Sequence, residues 1–150
     1  MSPFLAFLHH LAAFTVVAAL VIELVLTKDG IVVKNARRIL LADLAFGVSA
    51  GVVLGVGFLR VLYFEKGASY YFHNVPFLAK LSLFFMVGLL SIYPTAEFLS
   101  WRTSVKQGQA PTVTDRKMRA IRTIIHWELV GVVLIILCAA LMAKGVGFLA

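Results

Sequence analysis

The sequence predicts an all-α membrane protein, a four-transmembrane-helix bundle, from three features. Of its 150 residues, 61% are hydrophobic, and a mean hydropathy of +0.97 exceeds what one soluble core of this size encloses. Four apolar runs, residues 4–26, 39–64, 76–99 and 121–143, each reach the roughly 20 helical residues that cross a hydrocarbon layer about 30 Å thick. The 14 Lys and Arg, against 7 Asp and Glu, gather mainly between the runs, where spanning chains carry them. The whole chain, 1–150, reads as a single transmembrane domain.

Charge orients the runs. The connection 27–38 holds Lys28, Lys34, Arg37 and Arg38 against Asp29, and 100–120 holds Arg102, Lys106, Arg116, Lys117 and Arg119 against Asp115. The positive-inside rule places both in the cytoplasm. The connection 65–75, with Lys66, and both termini then lie outside, in the periplasm of a bacterial inner (cytoplasmic) membrane. The net charge of +7 meets the anionic headgroups of the lipid bilayer there, so nucleic acid is not an expected partner. No basic segment precedes the first run, which is expected to stay as a helix and not to be cleaved as a signal. Cys138 stands alone in an apolar run, which excludes a disulfide within the chain and a cysteine metal motif. Residues 106–114, with Gly108 and Pro111, are expected to be the most mobile, and Thr114 or Asp115 to cap the last helix.

Helical phase sorts the polar residues. In the first helix His9, Ala12, Val16, Ala19 and Glu23 share a face, while His10 points elsewhere with Phe14, Val17 and Val21. At 1.5 Å per residue, His9 and Glu23 are about 21 Å apart along the axis and belong to different sites. In the second helix Gly47, Gly51 and Gly55 follow Asp43 at four-residue intervals, a pattern that predicts close helix packing and offers a face for a homo-oligomer. Arg60 and Tyr63 stand near its outer end. In the third, Lys80 heads a face continued by Phe84, Val87, Ser91 and Pro94, and Glu97 follows near the inner surface. Pro94 lacks an amide hydrogen and frees a carbonyl one turn back. In the fourth, Glu128 shares its stripe with Gly131, Ile135, Cys138 and Met142, whereas His126, about 200° away, lies with Arg122.

Two layers result. The outer one holds His9, Arg60 and Lys80, with His73 from the connecting loop. It suits a tetrapyrrole or a quinone, with imidazole for haem iron, His9 foremost, and Arg60 and Lys80 for carboxylates. The inner one holds Glu23, Asp43, Glu97 and Glu128, one carboxylate per helix. Three readings stay open for it: a divalent-metal site, a cation or proton pathway, or carboxylates neutralised by Arg37, Arg38, Arg102 and Arg122.

With His9-His10, Ala79-Lys80-Leu81, and Arg122 to Glu128 leading into Gly131-Val132-Val133, the chain resembles, over essentially its whole length, a small bacterial family of four-helix membrane proteins of unknown function. More distantly it is similar to the HemJ-like protoporphyrinogen oxidases and the CopD-like copper-resistance membrane proteins. A helix-one histidine of the oxidases matches His9, their Lys-Leu pair matches Lys80-Leu81, and their last helix opens with an arginine followed by Asn-Glu, where Trp127 here replaces the asparagine. That resemblance implies haem b and an oxidoreductase acting on a tetrapyrrole. The chain departs from the pattern at Tyr93-Pro94-Thr95-Ala96-Glu97, where the oxidases carry a histidine.

Overall fold

The computed structural model describes residues 3–64 and 72–146, and among these all regular structure is helical. In hydrocarbon only a helix or a closed barrel satisfies every backbone amide, so continuous apolar runs of this length become helices. Helix α1 is Pro3–Leu26, α2 Val33–Leu59, α3 Val75–Ser100, α4 Arg102–Lys106 and α5 Asp115–Ala143. Four of them, α1, α2, α3 and α5, are long and apolar enough to cross a membrane. Both α2 and α5 begin ahead of their apolar runs, because hydrogen bonding continues through charged turns such as Lys34 to Arg38 that lie outside the lipid core.

Local chemistry fixes the ends. Asn74 caps α3, its side-chain oxygen accepting from the Phe77 amide at 3.0 Å, and Thr114 caps α5 by accepting from Lys117 N–H at 3.3 Å. Gly108, at φ +71°, closes α4: its amide donates to Val105 and that of Gln109 donates to Ser104, the pairing that terminates helices at a left-handed residue. Pro111 beyond it is buried and Val113 packs on the core, so the stretch expected to be mobile is anchored at several points. Beyond Leu59 the second helix widens into a π-helical turn, Arg60–Phe64, where regular helix was expected.

The helices associate as two pairs. α1 lies along α2 and α3 along α5, and the pairs meet chiefly where α1 touches α5. The core is densest at the end carrying the two basic connections, the basic end, where Ala36, Ile39, Phe98, Ile121 and Ile125 are fully buried and Phe98 meets Trp101 edge-on, ring centres 5.0 Å apart. Toward the opposite, terminal end it thins to Val61 and Phe77, with Leu81 and Met142 against them.

One expectation about the packing is corrected. Gly47, Gly51 and Gly55 face away from the other helices, and a methyl group added at any of them meets nothing within 4 Å. A four-residue repeat advances about 40° per step, so by Gly55 the stripe has turned about 120° from Asp43. The face of α2 that does pack follows Ile39, Ala42, Phe46, Ser49 and Val56. The close approach occurs instead at Gly131, where an added Cβ would stand 2.5 Å from Val87 Cγ2. There α5 meets α3.

Candidate functional site

The thinning of the core at the terminal end leaves a pocket of about 480 Å³ among α1, α2, α3 and α5. Its wall is mainly apolar, with His9, His10 and Lys80 as the polar exceptions and Phe77, Phe84 and Gly57 beside them. This volume lies in the range of about 300–1,000 Å³ common for small-molecule sites.

Helix α1 contributes two adjacent imidazoles in different settings. His9 turns toward α2, where its ring contacts the Val53 backbone and its Cε1 lies 3.6 Å from the position of a Cβ at Gly57. Its Nδ1 is buried and has no hydrogen-bond partner among the described residues. His10, expected to point away with Phe14 and Val17, lines the pocket together with them, because the cavity opens along the side of α1 rather than along its α2-facing stripe. His10 Nδ1 is 2.6 Å from the Ala6 carbonyl. A carbonyl only accepts, so Nδ1 carries the proton, and in the neutral ring Nε2 is left as an acceptor. The two rings are edge to face, with centroids 6.1 Å apart.

The cations expected in this layer are present. Lys80 Nζ stands 5.2 Å from the centre of the Phe77 ring, a cation–π distance, and the charges of Lys80 and Arg60 both act on His9. Arg60 itself sits in the π-helical turn, a type of wide turn frequent at functional sites, but outside the pocket wall. His73 is exposed and does not line the pocket.

The inner layer is brought together only in part. Glu23, Asp43 and Glu128 are buried, at 2%, 8% and 1% exposure, and act on one another electrostatically. From α3 the structure supplies Thr95 and not Glu97: the Thr95 hydroxyl donates to Asp43 Oδ1 at 2.7 Å. Glu97, two positions on and about 200° around the helix, pairs with Lys117 at 3.3 Å. Among the described residues, the charged groups that act on Glu23 are Asp43 and Glu128, and the one that acts on Glu128 is Asp43; no arginine appears beside them. Thr95 was missed because a lone hydroxyl in an apolar helix resembles a residue bonded to its own backbone. Its register with Phe98 and Ser91 was the available signal. His126 is exposed and bonds the Arg122 carbonyl at 2.8 Å, on the opposite face from Glu128. Among the described residues no three of His, Cys, Asp and Glu are placed to hold a metal ion.

No curated protein and no solved structure matches the chain. The profile of a family described as "Predicted membrane protein (DUF2214)" matches residues 1–147, which include all four long helices, the terminal pocket and the buried acids. On that match, the chain belongs to the DUF2214 family of membrane proteins.

Proposed function

We propose that this protein is a redox membrane protein whose terminal pocket holds a planar, lipid-soluble ligand, a quinone or a tetrapyrrole such as haem b. One observation carries the reading: an imidazole with a defined acceptor nitrogen, on His10, and the ammonium of Lys80 border the same apolar pocket of about 480 Å³. A quinol hydroxyl donates to such a nitrogen while Lys80 donates to the far oxygen or to a propionate. The donor set also fits haem b. Metal-bound histidines usually donate their second ring N–H to a carbonyl or carboxylate, as His10 does to Ala6, and haem bound there supplies one-electron chemistry. His9, with its Nδ1 buried against α2, is the supporting ring in this reading. Arg60 adds positive potential at the pocket's rim. The resemblance to the HemJ-like oxidases agrees with such a role, and with a bacterial inner membrane whose periplasmic side holds both termini and the pocket.

The test is to purify the protein in mild detergent, record its visible spectrum, and titrate it with haem and with a short-chain ubiquinone. A Soret band or saturable quinone binding is expected, lost in His10→Ala and weakened in Lys80→Met. If neither ligand binds, or if binding is indifferent to His10→Ala, the reading fails.

A second, non-enzymatic reading is favoured by the open face of Gly47, Gly51 and Gly55: assembly of copies through close contact of α2 helices. Cross-linking in vesicles checks it, since Gly51→Leu should abolish oligomers, and an unchanged distribution would exclude this contact.

A further inference from the structure

Glu23 of α1, Asp43 of α2 and Glu128 of α5 lie inside the bundle on the basic side of its middle, each from a different helix, each shielded from solvent, and within electrostatic range of one another. A cluster of acids is not in itself a site. What distinguishes this one is that two of its side chains are almost wholly buried yet incompletely bonded. Oε1 of Glu23 and Oε1 of Glu128 are inaccessible to water and accept no hydrogen bond from the described residues. The third acid, Asp43, accepts from the Thr95 hydroxyl.

Among the described residues, no cation acts on these acids. Glu23 is acted on by Asp43 and Glu128, and Glu128 by Asp43. Helix α3 contributes only neutral Thr95 here, because Glu97 is turned toward Lys117. Carboxylates within electrostatic range of one another in a medium of low dielectric repel and lose their hydration. Such a cluster must bind a positive species. Among the described residues no three of His, Cys, Asp and Glu are placed to hold a metal ion, which disfavours a multivalent cation as that species. A proton needs only one oxygen and a nearby acceptor, and the vacant Oε1 atoms supply both.

We propose that Glu23, Asp43 and Glu128, with Thr95 as hydroxyl donor, form a proton-binding site within the membrane-spanning bundle. The chemistry is the making and breaking of carboxyl O–H bonds: a proton leaving one acid is taken by a neighbouring carboxylate oxygen or by water entering from the basic end. The site bridges the two helix pairs, with Glu23 and Asp43 on one and Thr95 and Glu128 on the other. This inference does not depend on the ligand assigned to the terminal pocket.

Infrared difference spectroscopy of the full-length protein in phosphatidylcholine vesicles tests it. Carboxyl C=O stretching bands are expected at neutral pH, moving down in heavy water, with the glutamate share identified by labelling glutamate carboxyls with carbon-13. Glu23→Gln and Glu128→Gln should each remove part of the labelled signal. The labelled native protein carries the test even where a variant does not fold. Absence of any protonated-carboxyl band in the native protein would overturn the proposal. So would its disappearance on adding sodium or potassium ions, which would identify a metal-cation site, or persistence of the full labelled band in both folded variants.

Discussion

Replacing Gly131 by alanine probes the contact on which the α3–α5 pair depends. The new methyl would lie 2.5 Å from Val87 Cγ2, and carbon atoms rest at about 3.5–4.0 Å, so the helices or the valine must yield by about 1–1.5 Å. Valine has one preferred rotamer in a helix and cannot swing aside cheaply. Overpacking of this kind costs about 1–3 kcal/mol, against which alanine gains about 1 kcal/mol of helix propensity over glycine. The expected net effect is a loss of about 0–2 kcal/mol, taking these ranges together. In a Val87→Ala background the obstructing methyl is gone and the same substitution should stabilise by up to about 1 kcal/mol. The two positions should therefore couple by about 1–3 kcal/mol. Reversible unfolding in mixed micelles of dodecyl sulfate, for the wild type, both single variants and the double variant, measures the coupling. Additive effects would show that α3 and α5 do not meet at this point.

Thr95→Val keeps the shape but removes the donor to Asp43, and should cost about 1–3 kcal/mol in the same unfolding assay, with Thr95→Ser restoring most of it. Asn74→Ala removes the α3 cap and should cost about 1 kcal/mol, seen as a lower unfolding midpoint. Lys117→Met breaks only the surface pair with Glu97 and should change stability by less than about 1 kcal/mol, a change that shrinks further in salt. For the pocket, His10→Gln should weaken haem or quinone binding more than His9→Gln does in parallel titrations, the reverse order excluding His10 as the contacting ring.

The fold was legible because hydrocarbon leaves a chain few options. Run length and the placement of Lys and Arg led to four helices, and the phase of Glu128 against His126 correctly put one inside and the other out. The site was harder to read. His9 and Lys80 line one pocket, but that His10 lines it beside His9 depends on how α1 is rolled between α2 and α5, and periodicity in one helix does not contain that angle. The glycine stripe misled for a related reason. Small residues at four-residue spacing mark a face able to approach another helix, but not whether the partner lies in the same chain. The inner acids illustrate the limit most clearly: their depth was readable, but the exchange of Glu97 for Thr95 follows from which side of α3 is turned toward Asp43, which only tertiary packing decides.

The association of α1 with α2 and of α3 with α5 also bears on how the protein is made. Each pair is consecutive among the long helices, so the first hairpin can enter the bilayer and pack while the rest of the chain is still being synthesised. At that stage Glu23 and Asp43 are already within the membrane, but Thr95 and Glu128 have not arrived. Two acidic side chains facing lipid or each other leave the first hairpin poorly satisfied on its own. Docking of the second hairpin covers that exposed acidic edge, making its burial a sign that biogenesis is complete.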